Sequence, residues 1–146
     1  MKLDWAILSN SAEVAPNNLA YVLGGGWDTA WRSQFPAAFG GALTLRLLLN
    51  RLEVARPHQL EVHLLDEDGH PLVPPVTRNM SEMNLPPDYP KGWDVPALLA
   101  IGMPALPIPS PGHYGLEILI DGQHVKSVPF RFILGPPPPQ LPRKPE

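Results

Sequence analysis

Proline punctuates this chain from Pro16 to Pro145. Each proline fixes φ, removes an amide donor and, inside a helix, clashes with the preceding turn. With 21 prolines so distributed, long helices have little room to form. What lies between the prolines alternates with period two. In residues 42–50, ALTLRLLLN, the odd positions up to Leu49 are all Leu and the even ones are mostly polar or small. That pattern predicts a strand with one buried face. Residues 59–64 alternate as cleanly, with Leu60, Val62 and Leu64 inward and Glu61 and His63 outward.

Asp-Gly between apolar runs is the strongest short-range hairpin signal, because both central turn residues take positive φ. It occurs in Asp66-Glu67-Asp68-Gly69, before residues 70–73, and again at Asp121-Gly122. The second joins a run with Tyr114, Leu116, Ile118 and Ile120 on one face to a return carrying Val128, Phe130 and Phe132. Further strands are read at residues 3–8, 19–23, 76–80 and 93–101, where Pro96 points to a sheet edge or a bulge. A turn near residues 94–100 is the only helical candidate. Strands recurring about every ten residues predict an all-β fold, a two-sheet antiparallel β-sandwich (immunoglobulin-like) of about eight strands. The sandwich is assigned to residues 1–134, and the proline-rich residues 135–146 to a flexible extended tail.

A formal net charge of −3 gives no electrostatic reason to expect nucleic acid or an anionic membrane as partner. The apolar windows are too short to cross a bilayer, and residues 1–10 lack the basic start and h-region of a secretory signal. The expected compartment is therefore the cytoplasm of a bacterium or archaeon. The absence of cysteine leaves no disulfide framework and no thiolate ligand or nucleophile.

The stretch Tyr21–Trp31, YVLGGGWDTAW, is the most unusual in the chain. Gly24-Gly25-Gly26 lacks the Lys of a phosphate loop and the spacing of a dinucleotide fingerprint, so a bulge or tight bend is expected. Asp28 becomes an acid–base group only with a partner and a pocket, and such an Asp more often bonds backbone amides at a bend. Trp27 and Trp31, four apart on one strand, would share a face and with Arg32 form an aromatic platform for a sugar or base. Core packing is the competing expectation for both rings. The five histidines, His58, His63, His70, His113 and His124, have no helical metal spacing, and Asp66–Gly69 lacks the remaining ligands of a calcium loop. No serine sits in a nucleophile elbow. No metal, cofactor or catalytic residue is assigned.

Several stretches together resemble a family of small uncharacterised bacterial proteins, known only as a domain of unknown function. They are Asp4-Trp5-Ala6-Ile7-Leu8, Val22-Leu23-Gly24-Gly25-Gly26-Trp27-Asp28-Thr29, the run from Leu60 to Gly69, Pro111-Gly112-x-Tyr114 and Val128-Pro129-Phe130. The likeness covers about residues 2–134 and is most specific at Gly-Gly-Trp-Asp. The resemblance implies a compact cytosolic β-sandwich and carries no established activity, cofactor or catalytic residue.

Three functions stand as expectations. The first is a non-catalytic protein-binding or assembly module whose partner is another protein, a second copy of the chain included. Its grounds are the edge strands of a sandwich and outward Leu48 and Leu119. The second is a small-ligand or carbohydrate-binding module using Trp27, Asp28, Trp31 and Arg32. The third is a hydrolase or other enzyme centred on Asp28 and one histidine.

Overall fold

Residues 1–139 and Pro145 are described by a computed structural model. In chain order the elements begin with β1 (Lys2–Val14), β2 (Ala20–Gly25), β3 (Thr29–Arg32), β4 (Ala37–Ala38), β5 (Gly41–Leu49) and the single-turn helix α1 (Arg51–Val54). They continue with β6 (His58–Asp66), β7 (Val76–Met80), β8 (Val95–Met103), β9 (Pro107–Ile108), β10 (Gly112–Ile120) and β11 (Gln123–Leu134). The fold is nearly all β, as the alternation requires. Among the described residues there are eleven strands in three sheets, not about eight in two. β3 falls on the strand read through Trp27 and Trp31 but begins only at Thr29. β4 and β9 are two residues each, and runs that short carry no readable period.

The first sheet has the order β2-β1-β5-β8, and the second has the order β3-β11-β10-β6-β7. All neighbours are antiparallel except β3 and β11, which run parallel. The predicted inward rows meet in one hydrophobic cluster. Leu43, Leu45, Leu47 and Leu49 of β5 come from one side, and Leu60, Val62, Leu64, Leu116, Ile118, Phe130 and Phe132 from the other. The third sheet is the two-residue ladder of β4 with β9. It leads directly into Phe39, whose amide donates to the Leu106 carbonyl at 2.8 Å. Phe39 is fully buried, with ring centroids 5.2 Å from Phe130, 5.6 Å from Trp27 and 6.3 Å from Phe132.

The first sheet curls. β1 is long enough to pair β5 through Lys2–Ser9 and β2 through Ser9–Val14. β2 and β8, at opposite ends of the strand order, still approach one another. The expectation that β5 buries one face therefore holds only for its second half. From Gly41 to Leu45 every residue is buried, and Ala42 and Thr44 lie outside the main cluster, on the other face. Ile7 pairs with Thr44 and Ser9 with Ala42, so these small side chains fill the inside of the curl. The Thr44 hydroxyl has no hydrogen-bond partner among the described residues.

Both Asp-Gly turns form, unequally. Asp121 (φ 51°) and Gly122 (φ 79°) are both left-handed, as a two-residue turn between twisted strands demands, and β10 and β11 pair along their lengths. After Gly69 the return is only a bridge between Leu65 and Pro71, because Pro71, Pro74 and Pro75 withhold the donors a ladder needs. The helical turn expected near residues 94–100 is instead strand β8, and Pro96 does sit on a sheet edge. Helix appears at α1, where the Asn50 side chain accepts from the Leu52 and Glu53 amides and Glu53 bonds back to the Asn50 amide. Asn-x-x-Glu is a capping box legible in the sequence, followed here by a single turn. Beyond β11, residues 136–139 are exposed and outside any strand, while residues 140–144 and 146, part of the predicted tail, lie outside the described residues.

Replacing Phe39 with Ala removes the ring both sheets share and is expected to cost about 3–5 kcal/mol in urea unfolding. Thr44→Val keeps the shape and removes an unpartnered buried hydroxyl. It is expected to raise stability by about 1 kcal/mol.

Candidate functional site

The glycine triplet bends the end of a strand. Gly24 has φ +63°, and a Cβ there would fall 2.4 Å from the Asn10 side-chain nitrogen. Gly25 pairs with Ser9, and the Gly26 amide donates to the Leu8 carbonyl at 2.8 Å. The triplet thus holds β2 against β1 and then releases the chain toward Trp27.

The four residues after it go separate ways. Trp27 precedes β3, so it and Trp31 do not share a strand face, and its ring packs on Phe39. Its buried indole Nε1 has no hydrogen-bond partner among the described residues. Trp31 is half-buried on β3 opposite Ile133. Arg32 places its guanidinium 5.0 Å from the centre of the Phe132 ring and donates to the Phe39 and Trp31 carbonyls at 3.0 and 2.9 Å. That arrangement joins a cation–π contact to two backbone bonds and holds β3 beside Phe39.

Asp28 is exposed and accepts from the Thr29 hydroxyl at 2.9 Å instead of from backbone amides. It lines an open depression of about 360 Å³ with His113 and Arg131. Arg131 Nε donates to Thr29 Oγ1 at 3.0 Å across 102 residues of sequence. Among the described residues Asp28 has no hydrogen bond to an imidazole.

Three of the other histidines pair with carboxylates on the surface. His63 meets Glu61, His70 meets Asp66, and His124 meets Glu117. Asp66, Asp68 and His70 hold their donor atoms within 4.8 Å of one another. Asp66 Oδ1 is already the acceptor for the Asp68 and His70 amides, which is the geometry of a turn. Around Glu117, one carboxylate oxygen serves both His124 Nε2 and the Ser127 hydroxyl, and that same imidazole nitrogen lies 3.1 Å from Ser127 Oγ. A proton relay needs the two nitrogens of the ring to face different partners.

His58 is the residue that composition and spacing concealed. It starts β6, is buried, and sets Nδ1 2.6 Å from an Asp121 carboxylate oxygen and Nε2 2.7 Å from the Glu53 carbonyl. Both ring nitrogens thus have an oxygen within hydrogen-bond distance. The other Asp121 oxygen accepts from the Gln59 amide at 2.9 Å. Asp121 is thus a turn residue that also locks α1, β6 and the β10–β11 turn together. The His58 hydrogen bond and then the Gln59 amide hold its carboxyl below the ordinary 3.8.

A different surface stands out on β2 and the residue before it. Leu19, Tyr21 and Leu23 are 55%, 50% and 71% exposed, and they alternate along an outward row of a terminal strand. Leu48 and Leu119 do face outward but are half-covered.

The match to a family model runs over residues 4–133, nearly the whole of the described β structure. The chain belongs to DUF6941, a family of unknown function. Neither a curated protein nor a solved structure matches it. No helix of this DUF6941 member is long and apolar enough to cross a membrane, a statement about helices alone among the described residues.

Because the folded Asp121 pKa lies below its unfolded value, its contribution to stability is complete above that value and disappears as pH falls through the folded one. The stability difference between the native chain and Asp121→Asn is therefore expected to be largest above about pH 5 and to shrink steadily below about pH 4. Urea unfolding at a series of pH values measures it.

Proposed function

We propose that this protein is a non-catalytic assembly module that engages a second copy of itself through the apolar row of β2. The observation that carries the reading is the sequence of that row. Leu19-x-Tyr21-x-Leu23 reads the same in both directions about Tyr21. An antiparallel meeting of two copies about a two-fold axis at Tyr21 puts Leu19 against Leu23 of the second copy and Tyr21 against its own mate. A self-complementary patch is what a two-fold interface requires. β2 also carries no charged residue, so the strand meets its copy without like-charge repulsion. The other terminal strands differ: β8 carries Pro96, β7 carries Arg78 and β3 carries Arg32. Proline and charge on an edge discourage pairing.

On this reading residues 1–134 are the module, their two large sheets the layers of an immunoglobulin-like sandwich, and residues 135–146 a tail beside it. It acts in the cytoplasm, with no cofactor and no nucleic-acid or membrane partner. The non-catalytic character is supported by Asp28 lacking an imidazole partner and by the Glu117 group using one ring nitrogen for two neighbours. The alternative of a sugar-binding platform is weakened because Trp27 and Arg32 are committed to Phe39 and Phe132.

Light scattering after size exclusion is expected to give the mass of a dimer for the native chain. Tyr21→Lys, which places two like charges at the centre of the patch, is expected to raise the dissociation constant at least about a hundredfold with an unchanged circular-dichroism spectrum. A native chain that stays monomeric at about 1 mM overturns the reading.

A further inference from the structure

Two segments cross between the large sheets on the same side of the molecule. One is α1 with residues 55–57, which joins β5 to β6, and the other is residues 81–94, which join β7 to β8. They are tied together by the Met83 amide donating to the Val54 carbonyl at 2.9 Å and by Arg51 donating to the Tyr89 carbonyl at 2.7 Å. Beneath them, where the terminal strands β7 and β8 leave the two layers unzipped, lies a cavity of about 200 Å³. Its apolar wall is built from Leu49, Val54, Met80, Met83 and Leu99.

Arg56 is the one side chain of fixed charge in the lining among the described residues. Arg56 and His58 line the cavity, with neutral Asn18, Asn79 and Ser81, and no Asp or Glu does, in a chain whose net charge is −3. Arg56 also lines an adjoining depression with Glu53 and Asp121, and its charge helps hold both carboxyls low, but those carboxylates are bonded to other partners. Glu53 bonds the Met1 ammonium and the Asn50 amide, and Asp121 bonds His58 and the Gln59 amide. Among the described residues Arg56 makes no ion pair. An uncommitted guanidinium offers a paired fork of donors matched to a carboxylate. Methionine side chains adapt their shape to a flexible apolar guest.

We propose that this cavity binds a small amphipathic carboxylate, its apolar tail between Met80, Met83 and Leu99 and its carboxylate on Arg56. A cavity of about 150 Å³ holds a benzene ring, so the space here suits a tail of about six carbons. The site adjoins the β2 row at Asn18 but shares no residue with it, and the proposal does not rest on self-association.

Hexanoate, hexanol and hexylamine, titrated into the full chain with the methionine methyl groups observed by NMR, test the proposal. Hexanoate is expected to shift the Met80 and Met83 methyl signals saturably, hexanol to bind about tenfold more weakly, and hexylamine to leave them in place. Arg56→Gln, an exposed position, is expected to reduce hexanoate affinity about tenfold with no change in melting temperature and no change in hexanol affinity. No saturable shift with hexanoate at about 20 mM overturns the site. Equal binding of hexanoate and hexylamine, or hexanoate binding unaltered in Arg56→Gln, overturns the carboxylate assignment.

Discussion

Burial of Phe39 between the two large sheets is the contact on which the rest of the molecule depends. Its ring meets Phe130 and Phe132 on one strand and Trp27 from the segment after the glycine triplet. Its carbonyl receives Arg32, and its amide is held by the short β4–β9 connection. One side chain therefore gathers the segment after β2, β3, the third sheet and β11. Aromatic groups at these separations interlock by shape as well as by area, so the cluster fixes the spacing of the layers as well as excluding water. The same packing explains why Trp27 and Arg32, chemically suited to a ligand, are committed to structure.

At the opposite pole, the node of His58, Asp121 and Glu53 fastens the crossing segments. Its members come from α1, β6 and the β10–β11 turn, and a buried imidazole between two acceptors leaves little freedom for any of them. The cavity lies beside this rigid node and under a crossing held by one backbone bond and by the Arg51 side chain on the Tyr89 carbonyl. An apolar space next to a cationic side chain is how a small site achieves orientation with few contacts. The β2 row is a separate matter of shape. β1 outruns β5, the sheet curls, and β2 is carried to the outside with one face turned to solvent.

The β class and most of the interior were legible in the residues alone. Leucine at 43, 45, 47 and 49 and the alternation at 60–64 and 114–132 name the buried faces, because a pleated strand sends successive side chains to opposite sides. Asp121-Gly122 named its turn, Pro96 its edge, and the glycine triplet its bend, each through a local backbone requirement. The assembled fold was needed for the second buried face of β5, the short strands β4 and β9, the parallel pairing of β3 with β11, the burial of His58 and its bond to Asp121, and the meeting of Arg56 with Met80, Met83 and Leu99. Those features join residues tens of positions apart or arise from the curl of a whole sheet. Period and turn chemistry act over a few neighbouring residues and hold no information about which distant segment will arrive on the other side.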